Sequence, residues 1–349
     1  MNDNRMGKTN YKILEEKLSS FNRFRLMDEP TRIHPLKNLN KQLNGIEVYV
    51  KRDDVMSMGL GGNKLRKLEF ILGDAITEGA DVLITSGGIQ SNHARLTAVA
   101  AAYAGLDCEI ALTQAVPKND PVYTGNGNIL LEKILDVKMH LLPPEENANI
   151  FTDRRVSELK AAGKKPYVIP MGGSSPIGCL GYVSCFQEIL IQSEELNIHF
   201  DTIIVPNGSG GTHTGLLSGL KIADVKQTNI KSYTVLATLE QAMSVTQEKI
   251  GATLNIIDKE LSVDRDDIDI DGSCLGTGYG IPTEEMIKAV KLLARTEGIF
   301  LDPVYSGKAF AGMLNDIHNG KFKAGSRILF ILTGGLPGLF AYESAFGEK

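Results

Sequence analysis

The chain has no tryptophan, only four cysteines and six histidines, and no apolar run long enough to cross a bilayer. The cysteines form no CxxC pair and the histidines are scattered singly, so neither a zinc site nor a disulfide framework is indicated. The first residues, MNDNRMGKTNYKILEEKL, are polar and charged, unlike a secretory signal. These features predict a protein of the reducing cytoplasm.

The chain also lacks an excess of positive charge, since its formal net charge is -5. A nucleic acid or an anionic membrane surface would not be attracted by such a field, so neither is a predicted partner. There is no GxSxG elbow, HExxH helix or acidic metal cluster, and hydrolase, metalloenzyme and metal-binding interpretations are therefore not favoured. A small-molecule ligand is the predicted partner.

The 349 residues contain strand-sized apolar runs that alternate with helical patterns. The predicted strands are GIEVYV, DVLITSGG, CEIALTQ, VKMHLLP, PYVIPMGG, DTIIVPNGSGG, SYTVLAT and ILFILTGG. This alternation predicts an α/β fold with mostly parallel sheets covered on both faces. We expect residues 66–176 to form a smaller inserted α/β lobe, with 1–65 and 177–349 forming the larger one.

Three predicted strands end in glycine, at Gly87, Gly208 and Gly334 and the glycines beside them. In an open parallel sheet the ligand crevice lies outside the carboxyl ends of the strands. We therefore expect these three loops to converge on one ligand.

Lys64 stands at the start of a predicted amphipathic helix, directly behind Gly61 and Gly62. A cation opposes the helix dipole there, which lowers the amine pKa and favours the neutral nucleophile that a Schiff base requires. The alternative for this residue taken alone is an ordinary surface lysine.

The stretch NGSGGTHT, from Asn207 to Thr214, joins a strand to a helical pattern. The free amides at such a helix start suit a phosphate group. His213 occupies the position of the last glycine in a dinucleotide pattern, and no GxxxxGK[ST] sequence exists, so a small phosphate monoester fits better than NAD or ATP. An ordinary glycine-rich connection is the alternative.

Polar side chains cluster after the second predicted strand, at Ser91, Asn92 and His93. They are candidates for binding a carboxylate or a cofactor hydroxyl, although Ser91 or Asn92 could instead cap the following helix. Tyr279 and Tyr305 each precede a helix and are candidates for proton transfer or for packing.

Taken together, the motifs resemble one family. KRDD, GGNKLRKLE, SGGIQSNHARLTA, PYVIPMGGSS, the glycine turn, GYGIP, LDPVYSGKA and FILTGG follow the order seen in the D-cysteine desulfhydrase and 1-aminocyclopropane-1-carboxylate deaminase family. The resemblance implies a tryptophan-synthase-β-like fold (fold type II), with two open, mostly parallel twisted sheets flanked by helices. It also implies pyridoxal 5′-phosphate in the cleft between the lobes, a small amino-acid substrate and a homodimer.

The resemblance assigns a role to each matching position. Lys64 matches the lysine that carries the cofactor and moves the substrate α-proton, Ser91 a serine near the substrate carboxylate, and Asn92 the partner of the cofactor's phenolic oxygen. Tyr279 and Tyr305 match two active-site tyrosines. The phosphate-binding turn matches Gly208, Ser209, Gly210, Gly211 and Thr212.

Two positions distinguish members of the family. The deaminases have glutamate and leucine where this chain has Ser306 and Thr333. A carboxylate near the pyridine nitrogen would keep that nitrogen protonated, whereas a hydroxyl leaves a weaker electron sink that still suffices to expel a good leaving group. The hydroxyl pair resembles the D-cysteine desulfhydrases, which predicts β-elimination of D-cysteine to pyruvate, ammonia and hydrogen sulfide.

Three alternatives remain open at this stage. Within the family they are 1-aminocyclopropane-1-carboxylate deaminase and L-cysteate sulfo-lyase. Outside it, the chain could be a non-catalytic ligand-binding module on the same fold, whose mark would be a missing lysine or a broken phosphate turn.

Overall fold

Two separate sheets carry the strands of the chain in the computed structural model, which describes the backbone of residues 4–347. Within these residues the strands are β1 (Ile33–Pro35), β2 (Glu47–Lys51), β3 (Val82–Gly88), β4 (Asp107–Thr113), β5 (Lys138–Leu141), β6 (Pro166–Ile169), β7 (Thr202–Asn207), β8 (Asn229–Thr234), β9 (Asp269–Asp271) and β10 (Arg327–Ile331). The α-helices are α1 (Asn4–Leu18), α2 (Lys64–Thr77), α3 (Asn92–Ala104), α4 (Pro121–Gly125), α5 (Asn128–Ile134), α6 (Ala148–Ala161), α7 (Pro176–Leu196), α8 (Gly211–Ile222), α9 (Leu239–Ile257), α10 (Glu284–Glu297), α11 (Ser306–His318) and α12 (Leu336–Phe340). The chain therefore has the predicted α/β alternation.

The larger sheet has the strand order β1-β2-β10-β7-β8-β9, and only the β1-β2 pair within it is antiparallel. Its central strands are buried on both faces. Ile203 and Leu329 belong to a core with helices α7 and α8, whereas Ile204 and Phe330 pack with α10 and α11. Continuous apolar strands are the expected consequence of covering both faces of a parallel sheet.

The smaller sheet has the order β5-β4-β3-β6, and all of its strands are parallel. Its strands run from Val82 to Ile169, within the predicted lobe 66–176. Helix α2 packs against both α7 and α3, so it lies where the helices of the two sheets meet. The boundaries of the two lobes remain a prediction.

Two strands were not predicted from the sequence, and one was predicted at shifted bounds. β1 and β9 have three residues each, and β9 is Asp-Ile-Asp, so neither forms an apolar run. The predicted run SYTVLAT overlaps β8, which begins at Asn229 and leaves the sheet after Thr234. In its first part, the more exposed residues Asn229 and Lys231 alternate with buried ones. These polar residues interrupt the apolar run, so the start of the strand is not evident from the sequence.

No helix in the described part of the chain combines the length and apolarity needed to span a membrane. The same residues contain no group of three or more histidine, cysteine or carboxylate side chains arranged around a common metal position.

Candidate active site

A cavity opens where the carboxyl ends of β3 and β7 face the start of α2 and the loop after β10. Glycine loops from both sheets line it, so the predicted convergence of these loops is present. The predicted site residues that line the cavity are Lys64, Ser91, Asn92, His93, Gly208, Ser209, Gly210, Gly211, Thr212, Tyr279, Tyr305 and Thr333. Ser306 is the predicted residue that does not line it.

Lys64 is the first residue of α2, and its Nζ donates a hydrogen bond to Oδ1 of Asn63 at 2.8 Å. Burial is the main cause that lowers the pKa of Lys64 well below that of an ordinary lysine. The positive charges of Lys67 and Arg95 lower it further, while the Asp302 carboxylate acts in the opposite direction. A larger fraction of this amine is therefore neutral and nucleophilic than in an ordinary lysine at the same pH.

The loop before Lys64 touches the loop after β10 through glycine backbone. A Cβ on Gly334 would lie 2.7 Å from Cα of Gly62, and a Cβ on Gly62 would lie 3.2 Å from the carbonyl oxygen of Thr333. Both glycines have positive φ, which is +125° at Gly62 and +81° at Gly334. The start of α2 and the Thr333 end of the cavity are thus in direct backbone contact.

The predicted phosphate turn joins β7 to α8. Gly210 is the N-cap of α8 with a left-handed φ of 82°, and no side chain caps the helix. The first amides of α8 are therefore available to an anion at the positive end of the helix dipole. Thr212, in the first turn, accepts a hydrogen bond at 3.0 Å from Nδ2 of Asn63, which places the turn beside Lys64.

Lys67 is a site residue that the sequence interpretation missed. Its buried Nζ donates to Oγ of Ser174 at 2.9 Å and to the Gly172 carbonyl at 3.2 Å. A Cβ on Gly211 would lie only 2.8 Å from this Nζ, so the ammonium group lies against the phosphate turn. Burial lowers the pKa of Lys67 to about 8. The signal that could have found it is its spacing of one helical turn from Lys64.

Ser91 and Asn92 combine a structural and a functional position. Ser91 caps α3, because its Oγ accepts a hydrogen bond from the Ala94 amide at 3.1 Å, and it also lines the cavity. Oδ1 of Asn92 accepts a hydrogen bond from Nδ2 of Asn128 at 3.0 Å. This bond orients the Asn92 amide so that its Nδ2 donor faces away from Asn128. The capping alternative for Ser91 is correct without removing the serine from the site.

His93 is neutral and its tautomer is set by a neighbour. The Thr85 hydroxyl donates to the Ile169 carbonyl at 2.7 Å, so it accepts from Nε2 of His93 at 2.8 Å. Burial and the charges of Lys64 and Lys67 lower the pKa of His93 well below the ordinary value. Its Nδ1 has no hydrogen-bond partner among residues 10–347, and because this nitrogen carries no proton in that tautomer it is an acceptor and has no hydrogen to donate to a substrate carboxylate.

Tyr279 and Tyr305 form a pair that lines the cavity, with Tyr305 next to the phosphate turn, since a Cβ on Gly208 would lie 3.1 Å from Cε1 of Tyr305. Their hydroxyl oxygens are 2.5 Å apart, and their ring centroids are separated by 6.0 Å. Burial raises the pKa of both phenols, and that of Tyr305 is raised further by Tyr279. Both phenols are therefore protonated at neutral pH and form one proton-donating unit.

Ser306 lies at the edge of the cavity, between a carboxylate and a lining residue. Its Oγ donates to Oδ1 of Asp302 at 2.6 Å and lies 3.5 Å from Oγ1 of Thr333. Thr333 lines the cavity, and the Ser306 hydroxyl is adjacent to it. Asp302 is buried, and its carboxylate also accepts backbone amides of residues 304–306. It belongs to the LDPVYSGKA motif, but the sequence interpretation assigned it no role.

The cavity fits pyridoxal phosphate. The amides of α8, Lys67 and the hydroxyl groups of Ser209 and Thr212 would hold the phosphate, and Lys64 supplies the amine that the aldehyde requires. The Asn92 amide donor and the Thr333 hydroxyl would contact the polar edges of the ring. Glycine at position 211 lets the turn approach Lys67 closely, because a Cβ there would lie 2.8 Å from the Lys67 Nζ.

Comparisons with known proteins agree with this fit. The family model for pyridoxal-phosphate dependent enzymes matches residues 25–334. The D-cysteine desulfhydrase of Serratia proteamaculans is 41% identical over 336 residues, which cover 95% of this chain and 98% of that protein. The D-cysteine desulfhydrase of Salmonella schwarzengrund is 40% identical over 329 residues, or 93% of this chain and 98% of that protein.

Solved structures show the same fold. A 1-aminocyclopropane-1-carboxylate (ACC) deaminase homologue has a TM-score of 0.86 and 37% identity, covering 95% of this chain and 98% of its own. A pyridoxal 5′-phosphate-dependent aspartate racemase has a TM-score of 0.62 and 17% identity, with 94% of each chain covered, and supports the fold alone. The resemblance and the fold type II architecture predicted from the sequence are thus confirmed. The chain belongs to the family of pyridoxal-phosphate dependent enzymes, in the branch that contains the D-cysteine desulfhydrases.

Proposed function

We propose that this protein is a pyridoxal-phosphate dependent carbon-sulfur lyase that converts D-cysteine and water into pyruvate, ammonia and hydrogen sulfide. The observation that carries the proposal is the placement of the Lys64 amine in one cavity with an intact phosphate turn and the tyrosine pair. A binding module on the same fold would have lost the lysine or the turn, and both are present. The identity of 41% to a D-cysteine desulfhydrase supports the substrate.

The bound cofactor would supply an aldehyde for covalent attachment and a ring that draws electrons from the substrate α-carbon. In this proposal Lys64 forms that attachment and, once its amine is free, removes the α-proton; its lowered pKa supports the role, because more of the amine is in the neutral, basic form than in an ordinary lysine. Asn63 offers the free amine an acceptor 2.8 Å away, which holds it at the cavity wall.

The tyrosine pair would assist the leaving group. The thiol group leaves the β-carbon with the bonding electron pair as HS⁻ and must gain one proton to depart as hydrogen sulfide. Tyr279 and Tyr305 are both protonated and share one hydrogen bond, so a proton donated by one phenol can be replaced from the other. Ser91 lines the same cavity, which supports the proposal that its hydroxyl donates to the substrate carboxylate.

Release of the 2-oxo acid tests this proposal across D-cysteine, L-cysteine, L-cysteate, D-serine and 1-aminocyclopropane-1-carboxylate. We expect D-cysteine to give the highest kcat/KM, with sulfide formed in equal amount to pyruvate. Lys64→Ala should abolish both turnover and the borohydride-trapped cofactor, whereas Lys288→Ala, at an exposed lysine of α10, should change neither. A higher kcat/KM for L-cysteate or the cyclopropane amino acid would replace D-cysteine as the substrate.

We further propose that the chain forms a homodimer and works in the cytoplasm. All four cysteines are free thiols, as is usual in a reducing compartment. Phe300 and Phe340 are more than half exposed and border one groove with Val290, an apolar surface of the kind that monomers rarely leave uncovered. Sedimentation equilibrium tests the dimer, and a mass near 37.9 kDa at all concentrations would contradict it.

A further inference from the structure

Lys308 lies in the first turn of α11 with its side chain buried, and its Nζ has backbone oxygens as its partners. It donates to the carbonyl of Leu275 at 2.8 Å and to that of Gly278 at 3.0 Å. No carboxylate oxygen of the described residues lies within 4.0 Å of this nitrogen. The Lys308 ammonium group therefore binds two backbone carbonyl oxygens, as a small free cation would.

This position is costly for a lysine. A buried ammonium group loses its hydration, and the start of a helix adds an unfavourable dipole. Burial lowers the pKa of Lys308 to about 8. A methionine or leucine would avoid these costs. The reason for an ammonium group at this position should therefore lie in the segment whose carbonyl groups it binds.

The two carbonyls belong to the segment that carries Tyr279. Gly278 directly precedes Tyr279, and the whole segment 272–283 lies between β9 and α10 without regular structure of its own. Tyr305, the partner of the Tyr279 hydroxyl, is the N-cap of the helix that carries Lys308. The start of α11 thus holds one tyrosine directly and the other through Lys308.

We propose that Lys308 is a positioning residue whose ammonium group acts as a built-in monovalent cation, fixing the Tyr279 segment so that the two phenols meet. Its effect on turnover rests on the proposed role of the tyrosine pair as a proton donor. Its effect on the segment itself does not depend on any substrate.

A neighbouring cavity makes the proposal testable by replacement of the cation. Lys308 borders a cavity of about 210 Å³ together with Cys274, Gly276, Thr283 and Glu285. Shortening the side chain to alanine would join the vacated space to this cavity. Ammonium or methylammonium could then reach the Leu275 and Gly278 carbonyls, while tetramethylammonium has no N–H group to donate.

The first experiment measures turnover of the holoenzyme of Lys308→Ala with added ammonium, methylammonium, tetramethylammonium or sodium chloride at equal ionic strength. We expect kcat to fall roughly tenfold or more, with a smaller change in KM, because the proton donor is displaced while the binding groups remain. Ammonium and methylammonium should restore most of the loss, and tetramethylammonium should not. Lys308→Met, which fills the space without a charge, should lose activity and show no rescue by ammonium.

The second experiment follows amide hydrogen exchange of residues 275–280 in the same holoenzymes without substrate. Exchange should be faster in both variants, and ammonium should slow it in Lys308→Ala alone. Lys288→Ala provides the matched control, since this lysine is exposed on α10, and it should match the unchanged protein in both experiments.

Full activity of either variant, or unchanged exchange in this segment, would overturn the proposal. The proposal would also be overturned if Lys308→Ala folds and ammonium restores neither its kcat nor the slow amide exchange of residues 275–280. If Lys308→Ala does not fold, the exchange result for Lys308→Met decides. A failure of the unchanged protein to act on D-cysteine would refute the proposed function while leaving the exchange prediction intact.

Discussion

Asn63 and Thr212 are joined by a hydrogen bond of 3.0 Å between the amide Nδ2 and the threonine Oγ1. The other atom of the same amide, Oδ1, accepts from the Lys64 amine at 2.8 Å. One buried side chain therefore links the amine that attaches the cofactor to the turn proposed to hold its phosphate. The position of one group constrains the other.

Asn63→Asp tests this link. Aspartate keeps an acceptor for Lys64 but removes the donor to Thr212 and places negative charge beside the phosphate turn. The affinity of the apoprotein for pyridoxal phosphate should fall about tenfold, as measured by titration of the visible absorbance. Asn149→Asp, at an exposed residue of α6, is the control for added charge. Equal loss in both variants would contradict a specific role for Asn63.

Lys67→Met tests the cationic group beside the turn. The phosphate would lose a charge-assisted hydrogen bond, so we expect the affinity for pyridoxal phosphate to fall about a hundredfold. The thermal stability of the apoprotein should not fall, because methionine removes a buried ammonium group that pairs with no carboxylate among residues 10–347. Cofactor titration and calorimetry of the apoprotein separate the two effects. Undiminished cofactor affinity would exclude Lys67 from the phosphate site.

The combined change of Ser306→Glu and Thr333→Leu tests the choice of substrate. We expect the ratio of activity on the cyclopropane amino acid to activity on D-cysteine to rise, because a carboxylate beside the ring nitrogen strengthens the electron sink. The new carboxylate would also lie near Asp302, so stability should fall. Ser306→Gln with Thr333→Leu has nearly the same shape without the charge. If that control shifts the ratio equally, the charge is not the cause.

The lowered pKa of Lys64 predicts how cofactor attachment depends on pH. A lysine with a lowered pKa loses its proton at lower pH, so attachment to the apoprotein should reach its maximal rate well below the ordinary lysine value of about 10.4. Borohydride trapping at a series of pH values measures this. Asp302→Asn should move the profile to still lower pH, because the Asp302 charge raises the pKa of Lys64. A midpoint at the ordinary lysine value would contradict the effect of burial.

The sequence predicted the parts of the site whose chemistry lies in contiguous motifs. Lys64 after its glycine pair, and the turn at 208–212 after a buried strand, were each identifiable because backbone geometry and residue type agree locally. Ser174 and Asp302 were not, because the lysines on which they act, Lys67 and Lys64, are distant in the sequence and lie near them only in the folded chain. Ser306 was predicted at the ring nitrogen; its hydroxyl lies 3.5 Å from that of Thr333, which lines the cavity, and its contact with the ring stays a prediction.

The strands followed the same rule. Runs buried on both faces, such as β7 and β10, were evident from composition. β1 and β9 were missed, because their three residues are held by pairing at the ends of the larger sheet rather than by apolar content. Tertiary pairing, rather than local preference, makes these segments strands.

The backbone contact between Gly62 and Gly334 has a consequence for how this enzyme could change over evolution. Backbone atoms, rather than side chains, set the distance between the start of α2, which carries Lys64, and the loop after β10. Side-chain substitutions at position 333 can therefore alter reactivity without moving Lys64. New substrate specificities are therefore accessible through substitutions at position 333, provided that Gly62 and Gly334 both remain glycine.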